Sequence, residues 1–363
     1  MFRIARAILF LVTVIGVVNL LVPASHVAAQ SPSLPTSLPS LLVPTNSSAA
    51  LGLTVDAESS RLYTTDSQSI WMFNTINGKL LKTNDVTGQT ESGVGKLVVN
   101  PATHNLYASV SAGLPPSGHL VIIDSTTNTT TDKQISGLSG GLIGDIQLNP
   151  KSKRIYLTSS PIFDGFTDTM LTPSRIDVVD EASLKAIKSI DFNNDVIGSI
   201  AVNSKAETIY ATNIAEAGTY TSKIWSINET SFAVEKPRQI KMAVFGMKYS
   251  EKADKIFVIG IKEDTSLWMQ ALNASLVPEP EVLVAKTSEP YTYIGIDMEL
   301  SPLIDRMYAS NGKELFVVDT SNNTVLGSLN VTAGNITVDT LTGKLYVPKG
   351  NTNEIAVFQD VLP

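Results

Sequence analysis

The feature that most constrains this chain is a unit that recurs seven times between residues 50 and 360. Each copy reads as a strand, a polar turn and a second strand with an aromatic residue at its centre. The markers are Tyr63, Tyr107, Tyr156, Tyr210, Phe257, Tyr308 and Tyr346, separated by 44, 49, 54, 47, 51 and 38 residues. The last copy, GNITVDTLTGKLYVPKGNTNEIAVF at 334–358, shows the pattern most plainly. Ile336 and Val338 alternate with polar residues. Residues 339–343 form a turn in which Gly343 is free to take a positive φ, and 345–347 and 355–358 are β-branched and aromatic runs. A small sheet with two apolar faces cannot bury both alone. It needs copies of itself on either side.

The copies align at their first strands: LGLTVDAESSRLY (51–63), VGKLVVNPATHNLY (94–107), IGDIQLNPKSKRIY (143–156) and IGSIAVNSKAETIY (197–210). Gly95, Gly144, Gly198 and Gly334 lie twelve residues before their markers. Asn100, Asn149, Asn203, Asp56, Ser301 and Asp339 lie seven before, at a corner where short polar side chains cap local backbone. Third strands follow at 71–74, 120–124, 176–180, 224–228, 267–272, 315–319 and 355–358, and six of them precede a visible fourth strand. The copy at 245–285 diverges most, with Phe257 in place of tyrosine. The spacing is that of a four-stranded blade. The expected fold is therefore all-β, a seven-bladed β-propeller of four-stranded antiparallel sheets. The seventh copy reaches Pro363 without a fourth strand, and an open edge is a liability. The ring is expected to be closed by an N-terminal strand near 40–45, with Leu41, Leu42 and Val43 pairing beside 354–359.

The expected organisation is a signal peptide at 1–29, a Ser/Pro-rich linker holding the closing strand at 30–48, and the propeller at 49–363. Arg3 and Arg6 precede an apolar run from 7 to 22, and Val27-Ala28-Ala29 offers the small residues of a cleavage site before Gln30. An uncleaved N-terminal anchor is the rival, and the only route to a membrane that the sequence offers. Without Arg3 and Arg6 the chain holds 25 basic against 34 acidic residues, a net charge of −9. Such a surface repels phosphate backbones, so no nucleic-acid partner is expected. The absence of cysteine excludes thiolate catalysis, Fe–S clusters, cysteine-ligated zinc and a lipoprotein anchor.

Inner strands of a propeller line its axis. Eleven residues before the markers stand Gly52, Lys96, Asp145, Ser199, Gly246, Asp297 and Asn335. A ring containing Lys96, Asp145, Ser199, Asp297 and Asn335 suits a small polar ligand, waters or a hard cation, and its oxygen ligands would suit Ca²⁺. The plainer reading is a solvated channel with a Lys96–Asp145 contact between adjacent blades. No other cofactor and no catalytic set is expected. A second candidate lies in three long neighbouring loops at 109–119, 158–175 and 212–223, where Phe163, Phe166, Met170 and Tyr220 would anchor a partner on one rim. Asp164, Gly165 and Asp168 match no complete calcium loop.

His104 and His119 stand alone, giving neither a zinc triad nor a Ser–His–Asp unit. Trp71, Trp225 and Trp268 fall in third strands, where packing between blades is expected rather than a sugar platform. Seven Asn-x-Ser/Thr sequons occur, at Asn46, Asn128, Asn228, Asn273, Asn322, Asn330 and Asn335; most fall at turns, where an acceptor must be exposed.

Three stretches resemble the YVTN-type β-propeller repeats of exported prokaryotic and archaeal surface proteins: 345–351 (LYVPKGN), 315–325 (LFVVDTSNNTV) and 121–128 (VIIDSTTN). The resemblance spans about 50–360. It implies a seven-bladed exported propeller with a surface or recognition role and does not fix a substrate. The expected function is thus a non-catalytic module binding a protein or glycan at the cell surface or envelope. The alternatives are a lactonase-like hydrolase using a channel divalent cation, or a structural surface-layer component.

Overall fold

In a computed structural model, every described strand but two belongs to one of seven four-stranded antiparallel sheets, and there is no helix among the described residues. The described residues run from 33 to 360, leaving out 45–51, 67, 87–93, 113–116, 128, 136–142, 164–169, 194, 217, 287–295, 332–333 and 351. The signal segment, Asn46, Asn128, Asp164, Gly165, Phe166 and Asp168 lie outside them. So do the side chains of His119, Phe163 and Met170.

The sheets are seven blades arranged in a ring, as the repeat requires. Blades one to six span 52–85, 94–134, 143–191, 197–240, 243–285 and 296–329, each from four strands in chain order, with a two-stranded ribbon inserted in the third. The seventh combines Thr337–Val338, Lys344–Pro348 and Glu354–Gln359 with Thr36–Leu42, which runs antiparallel to Glu354–Gln359 with Leu41 opposite Ile355. Val43, just past that strand, is 2% exposed and donates its N–H to the Asn353 carbonyl at 2.7 Å.

Each blade buries its two faces against its two neighbours. Tyr63, Ile70 and Met72 of blade one cluster with Leu106, Ala108 and Val121 of blade two. Tyr107 and Leu120 cluster with Ile155 and Leu157, and Tyr156 and Val178 with Ile209 and Trp225. The same pairing continues round to Tyr346, Ile355 and Val43, which pack on Leu62 and Phe73 of blade one. Alternation does this sorting. Val178 and Val179 are adjacent in one strand and serve opposite interfaces. Trp71 and Trp225 are buried in these clusters, Trp225 meeting Phe192 edge-on at 5.2 Å, while Trp268 lies under the Lys262 ammonium at 4.1 Å.

The seven markers are fully buried, and four tyrosine hydroxyls reach the following blade just past its third strand. Tyr107 donates to Glu181 Oε1 at 2.7 Å, Tyr156 to Glu229 Oε1 at 2.5 Å, Tyr210 to the Ala274 carbonyl at 3.1 Å, and Tyr308 to Asp360. Where blade six offers Thr320 at that place, the marker of blade five is Phe257, which has no hydroxyl to satisfy. The corner residues act as caps: Asn100, Asn149, Asn203, Asp56 and Asp339 each accept backbone N–H groups of their own turn. Three residues before the marker, six of the seven turns take a left-handed conformation, at Ser60, His104, Lys153, Glu207, Asp254 and Gly343. Only the last uses glycine, at φ 69°.

Candidate functional site

The inner strands place two tiers of side chains around the axis. The upper tier is the ring read from the sequence. The lower tier lies two residues on, where each residue pairs directly with a marker: Thr54, Val98, Gln147, Ala201, Lys248, Glu299 and Thr337. All of them but Gly52 and Ala201 line a cavity of about 160 Å³. Lys96, Asp145, Ser199, Gly246, Asp297 and Asn335 all line it, joined by Gln147, Lys248 and Glu299. Sequence reasoning missed the lower tier, although the two-residue period of a strand points to it.

The expected Lys96–Asp145 contact does not form. Lys96 instead donates to Asn335 Oδ1 at 2.7 Å. Lys96 belongs to blade two and Asn335 to blade seven. The ring position between them is Gly52 of blade one, which has no side chain to interpose. A Cβ there would stand 2.6 Å from the Gly95 carbonyl oxygen.

Asp145 is committed to backbone. Its Oδ2 accepts the Ile200 N–H at 3.0 Å and the Ser199 hydroxyl at 3.3 Å, and its Oδ1 accepts the Ile146 N–H at 2.9 Å. Asp297, at the same ring position three blades on, repeats this with the Ile336 N–H at 3.0 Å. Each aspartate thus clips the inner strand of the next blade one residue past that blade's own ring residue.

The lower tier supplies the charge that faces them. Lys248 Nζ lies 3.0 Å from Glu299 Oε2 across the blade five–six interface. Burial alone would lower the Lys248 pKa, but the carboxylates of Glu299, Asp297 and Asp145 outweigh it and hold the ammonium above the ordinary lysine range. Lys248, Glu299 and Thr337 also line a basin of about 630 Å³ on the turn-bearing face, so this ion pair stands where one cavity gives way to the other. The described residues contain no group of three His, Asp or Glu arranged to hold a metal. His104 instead makes a 2.9 Å contact from Nδ1 to Asp56 Oδ2 of blade one.

On the opposite rim the three long loops take three different forms. That of blade two extends its hairpin, Leu106–Ala112 pairing with Ser117–Asp124 out to Ala112 and Ser117. That of blade three carries a separate ribbon, Ile162–Phe163 against Met170–Thr172, which places Phe163 and Met170 on paired strands. The loop of blade four is irregular and folds over blade five. Its Ala215 and Tyr220 pack, half-buried, against the cluster of blades five and six. Under it lies a cavity of about 450 Å³ walled by Ile214, Ala215, Tyr220, Val244, Phe245 and Ile261, with Glu216 and Thr219 as its polar side chains. Gly198 permits the arrangement, since a Cβ there would meet Ile214 Cγ1 at 2.7 Å. Gly198 and Phe245 line both this cavity and the axial one.

Among the sequons, Asn228, Asn273, Asn322 and Asn330 are exposed, whereas Asn335 lies half-buried in the channel as the acceptor of Lys96.

No family model matches the chain, and no curated protein resembles it in sequence. Solved structures resemble it in fold. A chain of hydrazine synthase from Kuenenia stuttgartiensis superposes with a TM-score of 0.71 over 88% of this chain and 98% of that one, at 13% identity. At that identity the likeness is one of fold. With 1412 solved chains sharing a significant likeness, the seven-bladed propeller is established for this chain and the chemistry is left to its own residues.

Proposed function

We propose that the protein is an exported, non-catalytic β-propeller of the YVTN-repeat type. It binds a protein or glycan partner at the cell surface or envelope through the rim that carries its long loops. The observation that carries this reading is a contrast between the two cavities. In the axial one, Asp145 and Asp297 are spent on backbone clips and the Lys248 ammonium fills the field of three carboxylates. A divalent cation or a general acid–base pair there would compete with those bonds and with the Lys248 ammonium. The rim cavity is larger, mainly apolar and roofed by a long irregular loop that folds over the next blade. Those are the properties of binding surfaces. The apolar leader after Arg3 and Arg6 and the exposed sequons support export.

A photo-crosslinking side chain placed at Tyr220, in cells with their native envelope, tests the reading. A discrete adduct is expected from Tyr220 and none from Leu341, an exposed turn residue at the other end of the strands. Equal labelling from both positions would count against a rim site. Hydrolysis of lactone or ester probes that is lost in Asp145→Asn and Asp297→Asn would transfer the case to the lactonase-like reading.

A further inference from the structure

The rim cavity also has a chemistry of its own. At about 450 Å³ it falls in the size range of small-molecule sites. Its walls are aliphatic and aromatic, and Glu216 is the one lining residue that is charged at neutral pH. The Glu216 carboxylate makes no hydrogen bond or ion pair among the described residues, although its backbone carbonyl accepts the Thr219 N–H and hydroxyl, both at 2.9 Å. The lysines on the strands that adjoin the cavity are already engaged. Lys223 is held by Asp195 at 2.8 Å, and Lys262 is held between Glu281 and the face of Trp268. The whole chain is acidic, so the long-range field also draws cations.

We infer that this cavity binds a small amphiphilic organic cation, its aryl or alkyl body seated between Tyr220, Phe245 and Ile261 and its ammonium at Glu216. The inference rests on the reading of the rim as the binding face and goes beyond it, giving the cavity under the blade-four loop a small-molecule ligand of its own. Aromatic faces attract an ammonium through their quadrupole, and an unpaired carboxylate adds a directional partner. Small residues keep the space open. Ala215, Gly218 and Ala243 line it, and beyond the Gly218 Cα no heavy atom stands within 4 Å of where a Cβ would lie.

Calorimetric titration of the purified full chain with 4-phenylbutylamine, 4-phenylbutanol and 4-phenylbutyrate tests this. The amine is expected to bind tightest and the carboxylate weakest. Glu216→Gln should bring the amine down to the affinity of the alcohol, a loss of roughly five- to tenfold, and leave the alcohol unchanged. Tyr220→Ala should weaken both, and filling the space with Ala215→Phe should abolish both. Glu216 is exposed, so its variant tests charge without disturbing the fold. Equal affinity for amine and carboxylate, or an amine affinity unmoved by Glu216→Gln, overturns the inference. A discrete crosslink from Tyr220 combined with no binding of the amine overturns it too, while leaving the rim reading intact.

Discussion

Lys248 and Glu299 meet at 3.0 Å between blades five and six, and around the axis the Lys248 ammonium answers the carboxylates of Asp297 and Asp145 as well. Lys248→Met would leave those carboxylates without their counter-charge. The side chains of Lys248 and Glu299 are 32% and 22% exposed, so the cost falls between that of a surface pair and a fully buried one, about 1–3 kcal/mol. The sign with pH follows from the raised lysine pKa. The pair's contribution is complete below the unfolded lysine value of about 10.4 and is lost as pH rises through the higher folded value. Urea unfolding at pH 7 and above pH 11 should show wild type and Lys248→Met converging at the alkaline end.

The marker tyrosines divide into two kinds. The Tyr156 hydroxyl donates to the buried Glu229 carboxylate, whereas the Tyr346 hydroxyl is buried with no hydrogen-bond partner among the described residues. Tyr156→Phe should therefore destabilise by about 1.5–3 kcal/mol, the range for a hydrogen bond to a charged group. Tyr346→Phe should be neutral or stabilising. Both can be read from shifts in the denaturation midpoint at constant slope.

Lys153 is exposed and sits at φ 55°, in a turn whose counterpart in blade seven uses Gly343. A left-handed L-residue costs about 1–2 kcal/mol and glycine's extra entropy about 0.5–1, so Lys153→Gly should stabilise by roughly 0.5–1 kcal/mol. A calorimetric scan would register this as a small rise in Tm.

Asp177 is fully buried between the hydroxyls of Ser159, at 3.1 Å, and Ser189, at 2.5 Å. Burial raises its pKa, against the opposing pull of those hydroxyls and Arg175. A raised carboxylate pKa contributes stability that is present below the unfolded value of about 3.9 and lost as pH climbs through the folded one. Asp177→Asn, which keeps a hydrogen-bonding side chain there without the charge, should gain on wild type as pH rises from 4 to 7. A difference that is flat or shrinks over that interval would contradict the assignment.

The seven blades were legible because their markers carry the burial. An aromatic residue at the centre of each blade's second strand, with alternating apolar neighbours, has no other way to satisfy its packing. The upper channel ring was legible for a related reason, since counting back from the marker is counting along a strand of fixed rise. Contacts were harder. Adjacency in the ring pointed from Lys96 to Asp145, but a long side chain goes where space is left, and Gly52 opened the way to Asn335. The acids that receive the tyrosine hydroxyls, Glu181, Glu229 and Asp360, look like ordinary turn residues until the neighbouring blade is in place. The blade-four loop showed its length but not its fold across blade five, because irregular backbone has no period to read.

The seven buried clusters each join two adjacent blades. The molecule therefore has no single centre whose loss would undo it at once. Its cohesion is a closed circuit of neighbourly agreements, each settled between two strips of side chain. Most of the rim loop residues lie outside these agreements, so a loop can lengthen or change chemistry at its tip while the scaffold beneath stays put.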